Sequence, residues 1–347
     1  MMKPWRGGTS LLLACLSGLA LPMAGQGQHV PQLLDSPGDE ARGPEGSANE
    51  GALFLLLPVG AQAVGVGRAM TSVSTQEAAF WNPAGLAGVD GSRVLLYRGE
   101  HLVGDATAIS GLVSLGSRGR AALSYQLLDV GSQDLTDAQG NVLGSISVRS
   151  HQGIASGAAR LSSAVDVGLN LKFVQFGLSC RGQCPEATVS SSTYAVDLGV
   201  QASPLEGRPL RLGAMVAHLG PRLHVVDSEK SDPLPSRIRI SAGYEVMNHM
   251  LPDEGFRLWI RAEVEERWNG SQGDPAVYLG SEFSAGDGDM LHLRGGYILG
   301  GATQADAAAV GFGLRYERFE LGIARSLARS NLATGSEPVH VTLGIGF

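Results

Sequence analysis

The chain lacks any apolar run long enough for a membrane-spanning helix. After the N-terminus the longest run is ALFLLL at residues 52–57, and Pro58 ends it. A spanning helix needs about 20 apolar residues, so a helical inner-membrane protein is excluded. The chain also lacks excess positive charge, because 26 Lys and Arg stand against 33 Asp and Glu. A nucleic-acid partner, which favours a basic surface, is therefore not expected.

Motifs of catalysis and of cofactor binding are also missing. The eight histidines contain no i,i+4 pair of the kind that binds zinc, and no G-x-S-x-G nucleophile elbow occurs. Gly65-Val66-Gly67 has no strand–turn–helix unit around it, which a dinucleotide site requires. An unmarked Ser–His pair on a barrel wall, and weak calcium binding by Asp129, Asp134 and Asp137, remain as less favoured alternatives. The sequence predicts no enzyme, no cofactor and no metal site.

The N-terminus predicts export. Lys3 and Arg6 precede a short apolar core, LLLACLSGLAL at residues 11–21, and small residues follow. This pattern is typical of a signal peptide, predicted at residues 1–25, and residues 26–50 are polar and predict a flexible linker. Cys15 is better explained as part of the signal core than as a lipoprotein site. In an exported protein, Cys180 and Cys184 (CRGQC) predict a small-loop disulfide rather than a metal site.

The chain is rich in glycine and in segments where apolar and polar residues strictly alternate. Its 49 glycines are about twice the usual share of roughly 7%. The last ten residues, PVHVTLGIGF, place Val341, Leu343 and Ile345 on one face and His340 and Thr342 on the other. From residue 92 onward this period of two predicts fourteen strands. Their predicted spans are 92–99, 106–115, 119–130, 145–160, 164–177, 192–203, 208–219, 236–246, 256–267, 275–285, 290–299, 306–316, 318–326 and 338–347.

The connections between these strands decide between a soluble sandwich and a membrane barrel. Alternate connections are mostly short, such as 116–118 and 161–163, and the others are mostly longer, such as 131–144 and 178–191. Outer-membrane barrels have short periplasmic turns and longer outer loops. The sequence therefore predicts an all-β fold, a fourteen-stranded antiparallel transmembrane β-barrel at residues 92–347. Both termini are expected in the periplasm of a bacterium, with lipid around the wall.

Two stretches of the chain resemble known families. The ending resembles the C-terminal signature of bacterial outer-membrane barrels, which predicts Phe347 as a signal for the barrel-assembly machinery. Residues 61–90 resemble the N-terminal signature of the PorV/PorQ outer-membrane proteins, which are related to the FadL fatty-acid transporters. The match consists of Gly65, Gly67, Ala69 and Glu77, Ala78, Ala79, followed by Trp81, Asn82, Pro83, Ala84, Gly85 and Leu86.

The resemblance implies that residues 51–91 fold into the barrel lumen as a hatch, called the hatch segment below. Asn-Pro initiates a turn, and Pro83 biases Asn82 away from helical backbone. Trp81 can bury its ring and donate its indole N–H to a luminal acceptor. Two interpretations of the motif stay open: a compact plug turn, or a turn with a role in ligand binding.

The luminal face of the predicted strands is rich in charge. The residues that take the non-lipid parity are Lys172, Arg211, Arg237, Arg239, Arg257, Arg261, Glu263, Glu265, Arg294 and Arg315. A network of ion pairs that fills the barrel and pins the hatch segment is the favoured interpretation. A polar conduit, or a surface for an anionic headgroup, is the alternative.

Two functions of different class follow from the resemblance. The first is a partner-binding component of protein export or surface attachment, as in type IX secretion, with secreted proteins or secretion components as partners. The second is a FadL-like channel for a hydrophobic small molecule. An export role requires outer loops suited to a protein, whereas a channel requires an apolar surface near the hatch segment and a gap in the wall.

Overall fold

The computed structural model describes residues 50–117, 119–184, 188–205, 207–224, 231–247, 255–268, 275–300, 305–327 and 338–347. The predicted signal peptide and all of the predicted linker except Glu50 lie outside these residues. Within them, fourteen strands form one closed antiparallel barrel. These strands are β1 Arg93–His101, β2 Gly104–Ser114, β3 Gly119–Thr136, β4 Val142–Arg160, β5 Val165–Gly182, β6 Thr188–Ala202, β7 Leu210–Leu219, β10 Arg237–Glu245, β11 Phe256–Arg267, β12 Ala276–Ala285, β13 Met290–Leu299, β14 Ala307–Tyr316, β15 Phe319–Ser326 and β16 Val339–Gly346.

Each strand pairs with its neighbours in sequence order, and β1 closes the barrel by pairing with β16. Two further strands, β8 (Leu223–His224) and β9 (Ser231–Asp232), form a separate hairpin between β7 and β10. The prediction of a fourteen-stranded antiparallel barrel is confirmed. We call the rim where β1 begins and β16 ends the terminal end, and the opposite rim the far end.

The wall has the polarity of a membrane barrel. On β10 the outward Ile240 is 62% exposed, whereas its luminal neighbour Ser241 is 3% exposed. Exposed aromatic side chains form a girdle toward each rim, as at the two interfaces of an outer-membrane barrel. They include Tyr125, Phe173, Tyr194 and Tyr297 toward the far end, and Tyr244, Phe256, Tyr316 and Phe319 toward the terminal end.

Four neighbouring strands, β3 to β6, are 15 to 19 residues long and rise above the rest of the far end. The sequence prediction of long loops at 131–144 and 178–191 is wrong here. Most of both stretches continues the strands, and the turn between β3 and β4 is confined to residues 137–141. The alternation persists, but its sense changes: beyond Phe173 the outward positions of β5 are polar, beginning with Gln175.

Residues 50–91, by contrast, contain short helices. The α-helix α1 spans Ala61–Gly65, and 3-10 helices span Leu53–Leu56, Gln76–Ala79 and Pro83–Gly88. No helix in the described part of the chain is both long and apolar enough to cross a membrane.

Candidate functional site: the luminal segment and its wall

The hatch segment touches luminal residues around the barrel. It contacts β1 through β6 on one side and β13 through β16 on the other, and Thr71 bonds to Glu263 of β11. Its small and apolar residues are almost completely buried; Ala63, Val66 and Met70 are each 0% exposed. The segment therefore occupies the lumen. A fourteen-stranded barrel needs such a filling, because the side chains of the wall can fill the lumen only up to a barrel of about eight strands.

The motif at residues 81–86 is a polar turn with its groups satisfied. Asn82 precedes the 3-10 helix Pro83–Gly88 with extended backbone, and its Oδ1 accepts from the Ala84 N–H at 3.1 Å. Its Nδ2 donates to the Thr71 carbonyl at 2.7 Å and to the Val200 carbonyl of β6 at 3.2 Å. One side chain thus joins the turn, an earlier part of the segment and the wall.

Trp81 anchors the same turn. Its Nε1 donates to the Val59 carbonyl at 2.9 Å, and its ring lies 4.8 Å below the Arg239 guanidinium. The acceptor belongs to the hatch segment and not to the wall. Pro83, Ala84, Gly85 and Leu86 are buried.

A ring of wall glycines receives the hatch backbone. A Cβ added at Gly296 of β13 would lie 2.0 Å from the Gly67 nitrogen, and one at Gly199 of β6 would lie 1.9 Å from Asn82 Oδ1. Similar contacts occur at other luminal glycines, namely Gly168, Gly213, Gly280 and Gly311. The wall has glycine where the backbone of the hatch segment lies against it, so the positions of these glycines determine where the segment can pack.

Ion pairs hold the segment on the side of β10 to β13. Arg239 pairs with Glu263 and Glu265, and Glu282 pairs with Arg261 at 3.3 Å and with Arg294 at 2.7 Å. Two of these carboxylates also bind the segment. Glu263 accepts from the Thr71 N–H and hydroxyl, both at 2.8 Å, and Glu282 accepts from Gln62 Nε2 at 3.0 Å.

The other predicted luminal residues also lie on the inner side. Arg237 binds Glu50 at 2.8 Å, and Arg211 donates to the Ser74 hydroxyl at 3.0 Å. Arg257 and Arg315 line a cavity near the terminal end. Glu282 was not predicted from the sequence. It shares the luminal parity of Ser284, whereas Leu279 and Phe283 face outward.

A buried charged cluster lies on β5 to β7; the sequence predicted Lys172 as luminal but did not predict its partners Asp197 and His218. Lys172 Nζ is 2.6 Å from Asp197 Oδ2, and both side chains are at most 1% exposed. Asp197 accepts from the His218 N–H at 2.9 Å and from Asn170 Nδ2 at 2.8 Å. His218 has a φ of 60°, and here the ladder shifts from Val196–Leu219 to Leu198–Val216. The cluster therefore lies at a β-bulge between β6 and β7.

Glu77 is the buried acid of the hatch segment itself. Its carboxylate accepts from the Ala63 N–H at 2.9 Å, the Gln62 N–H at 3.2 Å and the Thr342 hydroxyl of β16 at 3.2 Å. Burial raises the pKa of the Glu77 carboxyl to about 7 despite these hydrogen bonds, because desolvation disfavours the charged form. Glu77 links helix α1 to the strand that closes the barrel.

The raised part of β3 to β6, called the far wall, carries apolar side chains on its inner face. It comprises residues 130–136, 142–148, 176–182 and 188–191. Its inward, half-buried residues are Val130, Leu135, Ile146, Val148, Phe176, Leu178 and Val189, and its outward ones include Asp134, Ser145, Ser147, Ser179 and Arg181. At its foot Val130 packs against a cluster with Phe54 and Leu55, and Leu53 is 57% exposed. The inner face is therefore an apolar surface directly beyond the hatch segment.

Cys180 and Cys184 form a disulfide at the tip of the far wall. The sequence had suggested that Cys180 lies in a loop, but in the structure it belongs to β5. Among the described residues, no group of three or more His, Cys, Asp or Glu side chains could hold a metal ion.

Comparison with known proteins gives the fold. No family model matches the chain, and no curated protein matches it. The toluene transporter TodX of Pseudomonas putida superposes with a TM-score of 0.56 at 11% identity, covering 83% of this chain and 98% of that one. The toluene transporter TbuX of Ralstonia pickettii gives 0.54 at 10% identity, with coverages of 83% and 98%. A Pseudomonas aeruginosa FadL homologue gives 0.54 at 11% identity, with coverages of 84% and 99%.

These likenesses show the fold of this chain. It has the fourteen-stranded outer-membrane barrel fold of FadL-type proteins, and nearly the whole of each of these three neighbours is covered by the match. Membership of the PorV/PorQ family, which the sequence motif implies, is not shown by any comparison and stays a prediction.

Proposed function

We propose that this protein is an outer-membrane passage for apolar small molecules. The observation that carries the proposal is the far wall, where the alternation of apolar and polar residues inverts. A wall that only extended into water would expose polar residues on both faces. Here at least six apolar side chains face inward above the hatch segment, and most of the polar ones face outward. The structural neighbours named as toluene transporters support the same function.

In this proposal the far wall faces the outside of the cell and collects the molecule. Burying a leucine-sized apolar surface contributes about 1.5–3 kcal/mol, enough to hold a small hydrocarbon by a few contacts. The hatch segment then acts as a plug that closes the lumen below. The terminal end, where β1 begins and Phe347 ends the chain, faces the periplasm.

The β-bulge between β6 and β7 is the proposed exit through the wall. The barrel ladder between these strands skips residues there, and β6 extends beyond the end of β7. The outward residues beside the bulge are apolar on both strands, including Leu198 and Val200 on β6 and Val216 on β7. A molecule leaving at this point enters lipid and avoids water. The fold comparisons favour this function over the protein-export role that the PorV/PorQ resemblance implies.

Uptake of labelled toluene and hexadecanoate by a Gram-negative host that lacks such a transporter tests the proposal. The intact protein should raise uptake of at least one of the two above the empty host. Leu178→Asp should lower this uptake about tenfold, because it places a charge on the apolar inner face. Ser179→Asp, one residue away on the outward face, is the matched control and should leave uptake unchanged. An inserted barrel that raises neither uptake would overturn the proposal.

A further inference from the structure

The cavity lined by Arg257 and Arg315 at the terminal end has a volume of about 230 Å³. Residues of the hatch segment form one side, including Gln62, Thr75 and Gln76, and the luminal faces of β11 to β15 form the other. At roughly 30 Å³ for each water molecule, the volume corresponds to about eight waters, so a small organic molecule fits. Unlike the far wall, this cavity is predominantly polar.

Positive charge exceeds negative charge around the cavity. Its arginines are Arg93, Arg257, Arg294 and Arg315, and its acids are Asp90, Glu282 and Glu320. Two of the acids are already neutralised, because Glu282 binds Arg261 and Arg294, and Glu320 lies 3.5 Å from Arg93.

Arg257 and Arg315 face this cavity without a matching acid. Within the described ranges, neither guanidinium has a carboxylate at ion-pair distance, and Arg315 contacts the Met290 sulfur instead. Ser284 and His292 lie between them on β12 and β13, joined by a hydrogen bond of 2.8 Å. Trp259 adds a flat apolar surface. The cavity is thus lined by two guanidinium groups, by neutral polar groups and by one aromatic ring.

We propose that this cavity binds a small organic oxyanion, with its carboxylate or phosphate group on Arg257 and Arg315. The planar guanidinium fork matches both oxyanions, and a site partly shielded from water strengthens the attraction. The proposal does not depend on the passage of apolar molecules. The oxyanion can be the head group of an amphipathic molecule that has crossed the barrel, or a free anion from the solution at the terminal end.

The fluorescence of Trp259 provides the test. The purified, full-length barrel in neutral detergent at pH 7.5 and low salt is titrated with sodium phosphate, succinate and hexanoate, with choline chloride as the salt control. At least one oxyanion should give a saturable change that is absent from Trp259→Phe. Arg257→Gln and Arg315→Gln should each weaken its binding about tenfold, since a charge-assisted hydrogen bond contributes about 1.5–3 kcal/mol.

Arg149→Gln is the matched control, because Arg149 is an exposed arginine on the outer side of the far end and lies outside the cavity. It should bind as the intact protein does. Tighter binding of hexanoate than of phosphate and succinate identifies an amphipathic head group, and the reverse order identifies a free anion. Both orders support the site. The proposal is overturned if none of the three anions saturates, or if both arginine variants bind as tightly as the intact protein.

Discussion

At the scale of single residues, glycine determines where the hatch segment lies. Gly296→Val would place side-chain atoms on the Gly67 backbone, where a Cβ alone reaches 2.0 Å from the nitrogen. Overpacking typically costs about 1–3 kcal/mol, and backbone cannot yield as a side chain does. We expect the temperature of the heat-induced gel shift to fall clearly. Gly157→Val on β4, where an added Cβ meets nothing within 4 Å, should not change it. Equal shift temperatures for both variants would show that the close contact is unimportant.

Lys172 is expected to matter because its partner is buried. Lys172→Met leaves the Asp197 carboxylate without its cation, and breaking a buried pair in this way costs about 3–5 kcal/mol. The variant should unfold at a clearly lower urea concentration than the intact protein. Lys172→Met combined with Asp197→Asn removes both charges and should recover part of the loss. A single variant as stable as the intact protein would contradict the assigned pairing.

The raised pKa of Glu77 predicts that the stability of the protein falls as the pH rises. Its pKa is raised from 4.5 to about 7 in the folded protein, so the folded state binds the proton more tightly than the unfolded chain. The contribution of Glu77 to stability is therefore complete below pH 4.5 and is lost as the pH rises through 7. The stability of the intact protein relative to Glu77→Gln should fall between pH 4.5 and pH 8, measured by urea unfolding. A difference that is constant over this range would exclude the raised pKa.

At the scale of elements, the closing strand carries the next prediction. The Phe347 N–H donates to the Ser92 carbonyl beside β1, and the Phe347 side chain is 77% exposed at the rim. Such an exposed side chain adds little to the stability of the finished barrel. Deleting Phe347 should therefore lower the amount inserted into the outer membrane while barely changing the gel-shift temperature of what does insert. Phe347→Tyr keeps an aromatic end and is the control; normal insertion of the deletion variant would remove the assembly role.

Strands β3 to β6 extend beyond the membrane-spanning length that the sequence predicted for them. The predicted span of this strand ended at residue 177. Beyond Phe173, apolar residues no longer face outward. The structure continues the strand to Gly182, with Leu178 facing inward instead. Alternation fixes that a strand is present, but which face is apolar depends on whether lipid or water lies outside. A strand that extends out of the membrane can keep its hydrogen bonds to its neighbours, while its apolar side chains change from the outer to the inner face.

At the scale of the whole molecule, the hatch segment should determine whether the barrel conducts. Fourteen strands enclose more space than their side chains fill, and residues 51–91 occupy it. Deleting them should leave the strands able to close, because the ladder between β1 and β16 does not involve the segment. Single-channel conductance in planar bilayers should then rise well above that of the intact protein. Insertion of both proteins is checked by the gel shift, and equal conductance would mean that the segment does not plug the barrel.

The sequence by itself determined the barrel. Strict alternation, as in β10 with Ile238 and Ile240 outward and Arg237 and Arg239 inward, is a local property and can be read from neighbouring residues. The count of fourteen strands, their order and the luminal position of the predicted arginines followed from it. The motif at residues 81–86 indicated where the chain turns, although its partners were not visible.

Only the tertiary structure decided which residues meet across the lumen. Glu282 binds Gln62 from 220 positions away, Thr342 meets Glu77 across 265, and Gly296 lies against Gly67. These contacts depend on barrel closure and on the register between strands, and each register shift moves a side chain by several ångströms. The same closure leaves Arg257 and Arg315 together at the terminal end. Alternation specifies the face of a residue, but long-range geometry specifies its partner.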